Sequence, residues 1–106
     1  MGPSEEQDSF QPIRGRPLKE ILIEDFPKVE KINPYPKISD EKVKLSIAEY
    51  EALRLVDLEG LNQIETGELM NVSRGTIWRL LDSGRRKLIQ VIAEGKELEI
   101  EKQEIC

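Results

Sequence analysis

Between residues 14 and 37 the chain carries Pro17, Pro27, Pro34 and Pro36. A proline inside a helix removes a hydrogen bond and clashes with the preceding turn, so no long helix fits there. Within this stretch KEILIED, residues 19–25, reads as a short strand, and INPYP, residues 32–36, as a turn or extended segment. Residues 1–13 have few aliphatic side chains and three acids, and read as a disordered acidic tail. The expected organisation is therefore a tail over 1–13, a basic, proline-rich arm over 14–37, and a folded domain over 38–106.

Helix and strand signals are dense after residue 37. EKVKLS alternates, with Val43 and Leu45 on one side, and predicts a short strand. Ser46 is followed three residues later by Glu49, the spacing of a capping box, which satisfies orphan N–H groups at a helix start. That helix is expected from Ile47 to Leu58, stopping at Gly60. Ala48, Ala52, Leu55 and Val56 form one apolar stripe on it, and Ile47, Tyr50 and Leu58 a second, so it should lie inside the domain. A second helix is expected from Gln63 to Met70. Asn71 tolerates a left-handed conformation and can end it, and Ser73 can cap the next. The third helix is expected from Arg74 to Glu94, ending at Gly95. Ile77, Leu80, Leu81, Gly84, Leu88, Val91 and Ile92 form its apolar stripe, with Gly75, Arg79, Asp82 and Arg86 opposite. KELEIEK, residues 96–102, alternates Leu98 and Ile100 as a final short strand.

Composition narrows the function. The chain of 106 residues has no histidine, and its single cysteine is Cys106, so an intramolecular disulfide or a Cys/His zinc site is excluded. No glycine-rich phosphate loop is present, and carboxylates alone do not make an acid/base pair. The expectation is a protein that is not an enzyme and holds neither metal nor cofactor. No apolar run approaches the ~20 residues of a membrane span. The N-terminal MGPSEEQDSF is acidic and does not read as a signal peptide, so a cytoplasmic location is expected.

The formal net charge is −5, yet Leu69–Leu88 holds five bases, Arg74, Arg79, Arg85, Arg86 and Lys87, against one acid, Asp82. Helix, tight turn and basic helix is the arrangement of a helix-turn-helix. Gly67 is small where the two helices must approach, and Val72 and Ile77 can pin the turn onto the first helix. Ser73, Arg74, Gly75, Thr76, Trp78 and Arg79 would meet the major groove of double-stranded DNA. Arg85, Arg86 and Lys87 follow two turns later, placed for phosphates. The alternative is a helical hairpin with a solvated basic face. For Trp78 the favoured role is packing against another segment, either the proline-rich arm or a second subunit.

The stretch KLSIAEYEALRLVDLEGLNQIETGELMNVSRGTIWRLLDSGRRKL resembles an uncharacterised prokaryotic family of predicted DNA-binding proteins. EYEALRLVDLEGL and MNVSRGTIWRLL are its most distinctive parts, and the likeness extends over about residues 14–100. It implies a mainly α domain with a helix-turn-helix similar to region four of the primary sigma factors, short flanking strands and an extended N-terminal arm. It also implies a DNA-binding transcriptional regulator. Asn71 stands where the family usually has glycine, and Gly75 and Trp78 replace more polar residues, so no base preference carries over. The rival expectation is a protein-interaction module docking on RNA polymerase or another regulator through its acidic surfaces. One such module offers few base contacts, so a homodimer on two half-sites is the expected form. EKVKLS and KELEIEK are candidates for strands paired between subunits, or else within one chain.

A second basic island, RGRP from Arg14 to Pro17, resembles the AT-hook, in which both arginines enter a narrow minor groove. The alternative is a flexible basic linker. The double change Arg14→Ala, Arg16→Ala tests this by titration against A/T-flanked and G/C-flanked duplexes. A minor-groove arm loses affinity for the A/T-flanked duplex more than for the other, whereas a linker binds both as the parent does.

Overall fold

The computed structural model describes residues 20–102. In chain order the elements are β1 (Lys31–Ile32), β2 (Lys42–Leu45), α1 (Ile47–Leu53), α2 (Gln63–Met70), α3 (Arg74–Glu94) and β3 (Glu97–Ile100). α1 runs directly into a π-helical turn over Arg54–Leu58. Three helices thus stand beside a three-stranded sheet of order β1–β3–β2.

Local chemistry sets the helix ends. At α1 the Glu49 N–H donates to Ser46 Oγ at 3.0 Å, and the Ser46 N–H donates to Glu49 Oε1 at 2.8 Å. The same reciprocal box, with identical spacing, opens α2 between Asn62 and Glu65. Asn71 ends α2 with φ +62°, in the left-handed region. Ser73 Oγ accepts from the Thr76 N–H and opens α3, and Gly95, with φ +65°, closes it.

The sheet is closed by β3. β2 lies parallel to it, with Val43 opposite Leu98 and Leu45 opposite Ile100. β1 lies antiparallel, with Ile32 opposite Leu98. The strands EKVKLS and KELEIEK therefore pair with each other within one chain. The alternation of β2 sends Val43 and Leu45 inward and leaves its lysines outside. The core unites Val43, Leu45, Leu98 and Ile100 of the sheet with Ala52, Leu53, Leu55, Met70, Ile77, Leu81 and Val91.

Three expectations need correction. KEILIED is not a strand over its described residues 20–25. It has no partner strand, and Leu22 instead donates its N–H to the Met70 carbonyl at the end of α2. The first helix is not a uniform α-helix, because the Glu59 N–H bonds the Arg54 carbonyl five residues back. That wider turn keeps Leu55 in the core but leaves Leu58 77% exposed, so the second apolar stripe does not continue. Ile92 and Leu88, both assigned to the buried stripe of α3, are exposed, Ile92 to 81%. Trp78 is 58% exposed, and residues 14–19 of the arm lie outside the described residues.

The α2–α3 approach depends on Gly67. A Cβ there would sit 2.7 Å from the Val72 carbonyl oxygen, a backbone atom that cannot swing away. Gly67→Ala should therefore destabilise the fold by about 1–3 kcal/mol, read as a fall of several degrees in the melting temperature by circular dichroism.

Candidate nucleic-acid interface

α2, the connection Asn71–Ser73 and the first turns of α3 form the surface on which the sequence reading placed most of its candidates. Ser73, Arg74, Gly75, Trp78 and Arg79 are exposed there, and Thr76 is half-buried. Ser73 Oγ is occupied by its capping bond and lies 3.0 Å from Thr76 Oγ1. Among the described residues Arg74 and Arg79 have no carboxylate within ion-pair distance. Arg14 and Arg16 lie outside the described residues.

The three bases further along α3 are placed differently from one another. Arg86 is largely exposed and meets only Asp82 of its own helix, at 3.4 Å. Arg85 forms a two-pronged pair with Asp57 from the π turn, Nη2 to Oδ1 at 2.7 Å and Nε to Oδ2 at 3.2 Å. The hydrogen bond to Asp57 pushes the Arg85 pKa up from its ordinary value. Lys87 turns away from solvent and donates to Glu49 Oε1 on α1 at 2.8 Å. Thus Arg74, Arg79 and Arg86 present positive charge outward, while Arg85 and Lys87 spend theirs on carboxylates of α1 and its π turn.

Glu49 and Asp57 are the residues that sequence reasoning missed here. Glu49 was legible as a capping residue, but not as a partner of α3. Its carboxylate also accepts from the Ser83 hydroxyl. Burial pushes its pKa up, but hydrogen bonds from Lys87, the Ser46 N–H and Ser83, with the Lys87 charge, bring it below the ordinary 4.5. Beside Trp78 an open cleft of about 640 Å³ runs along α3, lined by Gln63, Leu81, Asp82, Arg85 and Ile89 among others. No group of acids, cysteines or histidines among the described residues could hold a metal ion. No helix among them is long and apolar enough to cross a membrane.

These features define a small chain of three helices on a short mixed sheet, with an outward basic face on its longest helix. The chain belongs to the family described as "Protein of unknown function DUF134", whose profile matches residues 9–105. It is 48% identical over 88 residues to a UPF0251 protein of Pyrococcus furiosus, covering 80% of this chain and 82% of that one. It is 38% identical over 89 residues to a UPF0251 protein of Archaeoglobus fulgidus, covering 84% and 85%. A UPF0251 protein of Prosthecochloris aestuarii is 44% identical over 89 residues, and there the match covers 82% of this chain but 57% of the relative. No solved structure matches.

Because the Glu49 carboxyl titrates lower in the folded chain than in the unfolded one, it contributes stability above its unfolded pKa. That contribution is lost as pH falls through the depressed folded value. Thermal melts from about pH 6 down to about pH 3 should show an acid-limb loss. Glu49→Gln should be less stable near neutral pH, and its acid limb should be shallower than the parent's.

Proposed function

We propose that this protein binds double-stranded DNA sequence-specifically and regulates transcription. In this reading α2, Asn71–Ser73 and α3 act as a helix-turn-helix similar to region four of sigma factors. The observation that carries it is the N-terminal half of α3. Directly behind a tight left-handed turn, an exposed helix face offers Arg74 and Arg79 without carboxylate partners, in a chain whose net charge is −5. Such a face matches a polyanion, and the helix diameter matches the major groove. Arg74 and Arg79 are suited to base edges or phosphates near the helix start, and Arg86 to a phosphate two turns on. Arg85 reaches phosphate only by leaving Asp57. An exposed pair of that kind is worth about 0–1 kcal/mol, so the exchange is cheap. Lys87 is a poorer candidate, because removing it from Glu49 strands a buried carboxylate. A homodimer on two half-sites fits this mode. The runner-up, docking on RNA polymerase, is favoured by the exposed Trp78 and Ile89 beside the α3 cleft.

Binding isotherms against duplex DNA at several salt concentrations test the proposal. The parent should bind with log K falling linearly in log salt. Arg79→Ala should cost about 1–3 kcal/mol on a preferred site if it reads a guanine edge. Arg86→Ala should weaken all duplexes alike and reduce the salt slope by about one. Unchanged affinity in both folded variants would remove α3 from the interface. A parent without salt-dependent binding that co-purifies with a polymerase subunit would favour the rival.

A further inference from the structure

Five glycines fall within the described residues, and four of them answer to the fold. Gly60 and Gly95 adopt positive φ. At Gly67 and Gly84 an added Cβ would come within 3 Å of Val72 O and Leu53 Cδ1 respectively. Gly75 answers to nothing in the described chain. It is the second residue of α3, and the nearest atom a Cβ would meet is Ser73 Oγ, 3.9 Å away. Glycine inside a helix is less stable than alanine, because its unfolded chain has more freedom to lose. The fold would thus accept a side chain here and gain from it.

What surrounds the gap suggests what fills it. Side chains three and four residues on lean back over the preceding turn, so Trp78 and Arg79 border the space above Gly75. Trp78 is 58% exposed, an unusual cost for a large aromatic in water. Asp82 lies one turn further on the same face, paired with Arg86. In the major groove the apolar group on offer is the thymine C5-methyl, and the guanine O6/N7 pair matches a guanidinium.

We propose that Gly75 and Trp78 form a notch for the C5-methyl of a thymine, next to a guanine read by Arg79. The inference rests on the DNA-binding reading above and assigns part of its sequence preference. Gly75 lets the helix approach the base pair closely, and the indole supplies the apolar wall. Any side chain at position 75 would occupy the space the methyl needs.

The test uses the full chain and duplexes it enriches from a randomised pool. Each enriched duplex is remade with deoxyuridine in place of thymine, one position at a time, which deletes the methyl and keeps the base pair. The parent should lose about fourfold in affinity at one thymine, the value of one buried methyl. Trp78→Ala should bind the thymine and uracil duplexes equally, and Trp78→Phe should retain part of the discrimination. Gly75→Ala should melt no lower than the parent, yet bind about tenfold more weakly. Parental affinity in Gly75→Ala, insensitivity of the parent to every methyl, or intact discrimination in Trp78→Ala would overturn the notch and leave DNA binding standing. A parent that enriches no sequence and binds no duplex would overturn both.

Discussion

The position of α3 rests on Glu49. Its carboxylate is buried, and burying a charge costs several kcal/mol unless it is partnered. Here the partners are the Ser46 N–H within α1 and the Ser83 hydroxyl and Lys87 ammonium on α3. One side chain therefore starts the first helix and fastens it to the third. Beside it Gly84 admits the Leu53 side chain, where a Cβ would come within 2.8 Å of Leu53 Cδ1. The polar clasp and the steric fit fix the same crossing. Because α3 is one uninterrupted helix of 21 residues, fixing its middle fixes both ends. Its C-terminal end delivers β3 to lie along β2, which leads directly into α1.

That clasp also sorts the bases of α3. A sequence shows five positive charges in a short run and not where each one goes. On a helical wheel Lys87 lies at the flank of the exposed face, and only the neighbouring carboxylate decides whether it turns out or in. Glu49 draws it in. Asp57 does the same for Arg85, but both partners of that pair are about half exposed, so its hold is weak. The outward charge of α3 is therefore smaller, and nearer its N-terminus, than the composition of Leu69–Leu88 implies.

How much was legible follows from how local each signal is. Caps and stops involve residues two to four apart, so the spans of α2 and α3 and the start of α1 could be read from Ser46, Asn71, Ser73 and Gly95. The strands Lys42–Leu45 and Glu97–Ile100 were legible from alternation, but their parallel pairing was not, because it joins residues more than fifty positions apart. β1 is two residues long, too short for any period to show. The π turn left no mark either, since one extra residue in a turn is a compromise between Leu55 in the core and Arg54 on Glu51. Of the candidate site, the residue types near the turn were legible, and the carboxylates that claim Arg85 and Lys87 were not.

The segment before β1 is tied down more firmly than its prolines imply. Glu51 is fully buried and receives the Glu24 N–H at 2.8 Å and two bonds from Arg54. Nearer the start of the described chain, Leu22 bonds to the Met70 carbonyl, and the Asn71 side-chain amide donates to the Glu20 carbonyl at 3.2 Å. The chain thus joins the helical body at the turn that leads into α3, not at the far end where β3 begins. Asn71 has two tasks there. It takes the left-handed φ that ends α2, and its amide holds Glu20 against the turn. Glycine would adopt the same φ at lower cost but could make no such bond. Under the proposed function this difference matters, because the RGRP sequence precedes Glu20 by only a few residues. Glu20, held by the Asn71 amide, therefore lies at the same end of the molecule as the start of α3.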